Sequence, residues 1–168
     1  MTEVASPTIS TAEDLAWLFG MNNRILHRQI DGLTHADSLV QPPVRGNCLN
    51  WILGHILVHR DYILDALGAE KLLDEKTTKR YDRESEPITE DGDDVVPFET
   101  LVALLDESLA RISAALSGAT AESLAADLPD GVMQTVGRTL DFLHWHETYH
   151  VGQTELLRQL AGKDDKVI

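Results

Sequence analysis

A chain of 168 residues with 43% apolar content suits one domain, spanning 1–168, with a single well-buried core. Its formal net charge of −14 makes a field that repels phosphate backbones and anionic lipid surfaces, so neither nucleic acid nor membrane is an expected partner. The single cysteine, Cys48, excludes an internal disulfide and an all-cysteine metal site.

No run approaches the roughly 18 uninterrupted apolar residues of a membrane span. The opening MTEVASPTIS lacks the charged-then-apolar layout of a secretion signal, so the expected location is cytoplasmic. Residues 1–9 read as a frayed start. Ser10 with Glu13 reads as a capping box opening a first helix that runs to about Leu33, with Leu15, Leu18, Phe19, Leu26 and Ile30 as its inner stripe. Asn22 falls in that row and His27 beside it; both read as hydrogen-bonded polar groups at the helix edge. The Gln41-Pro42-Pro43-Val44-Arg45-Gly46 segment then breaks the chain.

A second helix is expected from Asn47 or Cys48 to about Leu67, with Gly68 as its terminator. Cys48, at the start of this apolar run, reads as a small buried residue rather than a nucleophile. The centre, Trp51 to Val58, is apolar nearly all the way round, which asks for cover on most sides, from its own bundle and from a second subunit. One imidazole, His55, interrupts it. Burial of that ring costs free energy unless its nitrogens find partners, and metal ligation would satisfy one of them. His59 follows at i+4 and Tyr62 at i+7, so this face offers a fourth ligand or a supporting group, although His59 also reads as an edge residue.

From Ala69 to Val96 the chain is charged and broken by Pro87 and Gly92, which suggests a long crossover containing at most a short helical piece. Its acidic cluster, Glu84, Glu86, Glu90, Asp91, Asp93 and Asp94, lacks the alternating ligands and terminal glutamate of a calcium loop and reads as a solvated connection. Pro97 sits at a favourable first helical position, and Phe98, Leu101, Val102, Leu105, Leu109, Ile112 and Leu116 predict a third, structural helix ending at Gly118. Thr120 to Asp127 suggests a short helix before Pro129, Asp130 and Gly131 turn the chain. The fourth helix is predicted over Val136 to Leu160, closed by Gly162. Four long helices separated by breakers, with no convincing strand, predict an all-α four-helix bundle with a long central crossover that permits a topology other than plain up and down.

Three of the seven histidines lie close together in the fourth helix, at 144, 146 and 150. At about 100° per residue, His146 and His150 stand about 40° apart on one face, one turn above the other, while His144 points away. That face also carries Phe142, Leu143, Tyr149, Gln153, Leu157 and Leu160, so Tyr149 is expected in the core. Imidazoles at i and i+4 bring their nitrogens to one point and can hold a divalent ion. The competing reading of that spacing is a pair of metal-free core histidines, each satisfied by a hydroxyl or a water.

The segment Asn50-Trp51-Ile52-Leu53-Gly54-His55-Ile56, taken with His146-Glu147-Thr148-Tyr149-His150-Val151-Gly152-Gln153 and a later Arg158 and Gly162, resembles the DinB-like superfamily of damage-inducible bundle proteins. The resemblance covers the whole chain in helix order and spacing. It implies a metal held by His55, His146 and His150, and a homodimer formed through the helices. Families of this fold include mycothiol-dependent maleylpyruvate isomerase and bacillithiol transferases. The polymerase that shares the DinB name is unrelated, and the resemblance implies no DNA binding.

Three neutral imidazoles leave coordination positions open, the arrangement of a catalytic rather than a sealed structural site. Zinc and nickel suit imidazole best, with iron and manganese also compatible with the donor set. Gln153 is placed to orient a bound water or substrate, with helix packing as its other reading; Tyr149 and His59 are the remaining supporting or substrate-facing candidates. For an anionic thiol cofactor the basic residues available by position are Arg24, Arg28, Arg60 and Arg158. Aromatic residues make up 5% of the chain, which argues against a large aromatic-lined cavity. The expectation is a metal-dependent thiol transferase or hydrolase that activates a low-molecular-weight thiol or a water for attack on a small-molecule substrate. The rival expectations are a non-catalytic dimeric stress-response binding or structural bundle protein, and a metal-free scaffold.

Overall fold

The structure is a computed structural model that describes residues 9–129 and 131–167. The expected frayed start up to residue 8, and Asp130 of the Pro-Asp-Gly turn, lie outside the described residues. Among the described residues seven helices follow in order: α1 (Ala12–Ile30), α2 (His35–Ser38), α3 (Leu49–Ala66), α4 (Glu75–Tyr81), α5 (Phe98–Ser117), α6 (Ala121–Ala125) and α7 (Val136–Leu160). No strand occurs among the described residues; an isolated bridge between Asp127 and Thr135 is the nearest approach to one.

The helix ends follow local chemistry. The α1 cap sits one residue later than the sequence suggests: Thr11 Oγ1 accepts from the Asp14 amide, and the Asp14 carboxylate accepts from the Thr11 amide. The shorter aspartate closes the box that Ser10 and Glu13 would otherwise form. Pro97 precedes the first turn of α5 rather than occupying it. Gly68 and Gly162, with φ of 69° and 85°, end α3 and α7 in the left-handed conformation that favours glycine.

The four long helices α1, α3, α5 and α7 form the bundle. Both α1 and α3 pack against α5 and α7, so helices consecutive among the four, α1 with α3 and α5 with α7, lie diagonally. One apolar cluster joins Leu15 and Phe19 of α1, Ile63 and Leu64 of α3, Ile112 and Leu116 of α5, and Leu140 and Leu143 of α7. The other joins Leu26 and Ile30, Leu49 to Val58, Leu101 and Leu105, and Val151 and Leu157. The N-terminal half of α1 and of α7 thus meets the C-terminal half of α3 and of α5. The order is up, down, down, up. Because α3 and α5 run parallel, the chain must travel back along α3, about 27 Å for its 18 residues, and this return is why the middle connection is long.

That return segment is built in. Asp61 of α3, itself buried, accepts from the Leu72 and Leu73 amides at 2.8 and 2.9 Å. Further on, α4 lays Tyr81 flat against Gly54, where an added Cβ would overlap the ring. The Tyr81 hydroxyl donates to Asn50 Oδ1 and accepts from the Val96 amide, each at 2.8 Å. The all-round apolar character of α3 is met within the chain by α4, α5 and α7. The acidic residues from Glu84 to Asp94 are exposed, as expected of a solvated connection. Gly54→Ala should displace Tyr81 and cost about 1–3 kcal/mol, the usual penalty of overpacking, measured by chemical denaturation.

Between the two apolar clusters lies a polar layer. Arg60 of α3 and Glu147 of α7 form a two-pronged ion pair at 3.0 and 2.9 Å, with side-chain exposures of 0% and 1%. Arg60 Nη1 donates also to Asn23 Oδ1 of α1 and to the Leu105 carbonyl and Ser108 Oγ of α5. One guanidinium ties all four long helices. By position in the sequence Arg60 is a candidate for a cofactor site; the structure removes it, because the guanidinium is wholly buried and Nε, Nη1 and Nη2 all donate to protein groups. Arg158 is likewise occupied, by Asp165 and by the carbonyls of Gln29 and Asp31. Arg24 and Arg28 lie exposed on α1.

Candidate metal centre

The three histidines singled out by sequence come together. One ring nitrogen from each of His55, His146 and His150 lies within 4.8 Å of the other two. His55 reaches the cluster from the middle of α3, stacked on Trp51 with ring centroids 4.5 Å apart. His146 and His150, one turn apart on α7, face it across the α3–α7 contact.

The protons on these rings are fixed by their other partners. His55 Nδ1 lies 2.8 Å from the Tyr81 carbonyl, one of the last carbonyls of α4, which have no partner within the helix. A carbonyl only accepts, so Nδ1 carries the proton and Nε2 keeps its lone pair. His150 Nδ1 lies 2.8 Å from Gln153 Oε1, which again only accepts, so His150 Nε2 is also bare. That nitrogen stands 3.2 Å from His146 Nε2. Two nitrogens each about 2.0–2.1 Å from one tetrahedral ion stand about 3.3 Å apart, so the donor set fits a shared divalent cation. His146 Nδ1 is buried without a partner among the described residues, and it sits beside His59, whose ring centroid is 3.8 Å from its own.

All these rings are held neutral. Burial pushes His146 down to about 4, and the neighbouring His55 and the Arg83 guanidinium further disfavour its charged form. Burial likewise pushes His150 down to about 4 against the opposing bond to Gln153, lowers His55, and takes His59 to about 2. In chelated protein this has a stability consequence. Unfolding returns His146 and His150 to about 6.5, so below that pH the unfolded chain binds more protons and folding weakens. The loss should accumulate as pH falls from about 6.5 to about 4 and then level off for these groups. It should amount to a few kcal/mol for the pair, allowing for solvent around half-buried His146. Urea titrations of chelated protein across that window check it, with His146→Ala/His150→Ala expected to show a shallower decline.

The supporting residues differ in part from expectation. Gln153 lines the cleft described below and orients His150, and its Nε2 donates to the Tyr149 hydroxyl at 3.4 Å. Tyr149 is not in the core: it is 57% exposed, and the inward position is taken by Glu147, drawn in by Arg60. His59 packs against His55 and His146 outside the three-nitrogen cluster. His144 points to α1, edge-on to Phe19. Asn22 and His27 are satisfied at the helix edge by Thr148 and Asp106. Cys48 is buried, and burial raises its thiol pKa, so it behaves as packing.

A cleft of about 680 Å³ opens over the three imidazoles. Trp51 and Tyr149 line it, so the cavity has aromatic walls despite the low aromatic content. Arg45 and Arg83 line it too, and neither was expected from sequence. Both sit in aperiodic loops, where helical spacing gives no hint of direction; the only local signal is the short amphipathic piece ending at Tyr81, which sets where Arg83 emerges.

Fold and site define a class: a helical bundle in which imidazoles from two helices converge beneath an open cleft. The chain belongs to the DinB superfamily, whose family model matches residues 20–154, a span that includes all three histidines. A solved structure described as the conserved protein of locus from Enterococcus faecalis is similar over 92% of this chain and 98% of its own, with a TM-score of 0.69 and 17% identity. At that identity the likeness is one of fold. No curated protein matches the chain. None of the described helices is long and apolar enough to cross a membrane.

Proposed function

We propose that this protein binds a divalent transition metal, zinc or nickel, through His55, His146 and His150, and uses it as a metal-dependent thiol transferase or hydrolase on a small-molecule substrate. The observation that carries the reading is the pair of fixed tautomers. Tyr81 and Gln153 each hold a proton on Nδ1, so that the Nε2 lone pairs of His55 and His150 face the space shared with His146. A divalent ion with open coordination positions lowers the pKa of a water or thiol that it binds, giving a nucleophile at neutral pH.

The chain's own residues do the rest. Tyr81 and Gln153 hold two imidazoles in the ligating tautomer, the positioning role that usually supports histidine ligands. Trp51 and Tyr149 wall the cleft and restrict water around a small electrophile. Gln153→Ala should weaken metal affinity about 10–100-fold without unfolding the protein, measured by competition with a chromogenic chelator. The activity test is a conjugation screen with glutathione, bacillithiol and mycothiol against several electrophiles. Turnover is expected in wild type and lost in His150→Ala; turnover that survives the substitution would place the reaction elsewhere.

A second reading, a homodimeric bundle with a binding or structural role, draws on a different observation. Trp145, Tyr149 and Leu156 form an exposed apolar row on α7, with relative exposures of 57–61%. A dimer that covers this row without turnover in the screen would favour it.

A further inference from the structure

The charge around the cleft is at odds with the charge of the chain. The protein carries 28 acidic residues against 14 basic ones, yet among the described residues no aspartate or glutamate lines the space above the three imidazoles, and two arginines do. Elsewhere, arginines near acids pair with them, as Arg80 does with Asp94 and Arg111 with Glu107. The Arg45 and Arg83 side chains make no ion pair or hydrogen bond among the described residues.

Both guanidiniums are displayed by loops that are tied down. Arg83 follows Tyr81, whose ring is buried against Gly54 and whose carbonyl accepts from His55. Two residues beyond Arg83, Ser85 Oγ accepts from Trp51 Nε1 at 2.9 Å, and the Ser85 amide closes a turn onto the Asp82 carbonyl. The segment that orients His55 therefore also presents Arg83 to the cleft. The Arg45 loop is anchored by Gln41, whose Nε2 donates to the Ile88 carbonyl of the same crossover at 2.8 Å. Apolar and aromatic surfaces of Ile52, Trp51 and Tyr149 line the same cleft.

We infer that Arg45 and Arg83 form a carboxylate-recognition element over the three-histidine site, so that the molecule reacting there is an organic acid with its reactive group directed to the imidazoles and its carboxylate to the guanidiniums. This rests on the reading of the cluster as the reacting site and names the class of ligand. Guanidinium forks pair with carboxylates through charge-assisted hydrogen bonds. The aromatic and aliphatic walls suit the carbon body between the two ends.

Isothermal titration of zinc-loaded protein, in parallel with chelated protein, tests this with three probes. N-acetylcysteine has thiol and carboxylate, N-acetylcysteine amide only the thiol, and N-acetylalanine only the carboxylate. In wild type, N-acetylcysteine should bind roughly ten-fold tighter than its amide, a preference that Arg45→Gln/Arg83→Gln abolishes while zinc content stays unchanged. Equal affinity for acid and amide would overturn the inference and leave the metal-and-thiol reading standing. So would a preference that survives the double substitution, since the carboxylate would then be held elsewhere. If N-acetylalanine binds as tightly as N-acetylcysteine and needs the arginines, the carboxylate element stands and the thiol reading fails. Absence of binding by all three probes overturns the inference.

Discussion

Glu147→Gln should be among the most destabilising single substitutions in this protein, although it lies outside the three-imidazole cluster. It leaves the Arg60 guanidinium charged, wholly buried and without its counter-ion, between two apolar clusters that offer no solvent. Removing one partner of a buried ion pair costs about 3–5 kcal/mol, and for a chain of this size each kcal/mol lowers Tm by about 2–4 °C. The expected fall is therefore roughly 6–20 °C. The remedy is specific. Replacing both partners, as in Arg60→Met/Glu147→Leu, removes the stranded charge and should recover much of the loss, because the desolvation penalty goes with the pair. It takes the Arg60 donor away from Asn23 Oδ1 and Ser108 Oγ, which keeps recovery incomplete. Thermal and urea unfolding of the single and double variants check both statements.

Removing the metal should act on the same scale. A ligand that binds only the folded state stabilises it by about 4.1 kcal/mol at a free concentration a thousand times its Kd. Stripping zinc-saturated protein with a chelator should therefore lower Tm by roughly 8–16 °C, on the same conversion of about 2–4 °C per kcal/mol. His55→Ala should abolish this response to chelation, since it removes the one donor from α3 and with it the link between helices. The two remaining imidazoles, on adjacent turns of α7, cannot clamp α3 to α7. The comparison is made by calorimetry of wild type and variant, each with and without chelator. A chelator-induced shift of equal size in both would show that the stabilising ion sits elsewhere.

Much of this arrangement is legible in the sequence where a residue type and a period agree. The span of α7 follows from an unbroken apolar period between Thr135 and Gly162, and the ligating face from the four-residue spacing of His146 and His150. His55 stands out because a lone imidazole in an apolar run needs a partner. What escapes is chemistry that depends on long-range pairing. The inward turn of Glu147 depends on Arg60, 87 positions earlier, and the helical period alone puts Tyr149 on the inner face although it is 57% exposed. The apolar girth of α3 suggests a second subunit because nothing in the aperiodic crossover announces that Tyr81 will lie against Gly54. Arg45 and Arg83 escape for the same reason: a loop's direction is set by what its neighbours bury, here Tyr81, and by the tethers at Ser85 and Gln41.

The central claim is that imidazoles from α3 and α7 share one divalent ion. Elemental analysis of untagged protein, reconstituted with zinc or nickel and desalted, tests it most directly. About one equivalent per chain is expected in wild type, falling below about a tenth of an equivalent in His55→Ala, His146→Ala and His150→Ala alike. Wild-type protein that retains no transition metal after reconstitution, or variants that retain as much as wild type, would contradict the account.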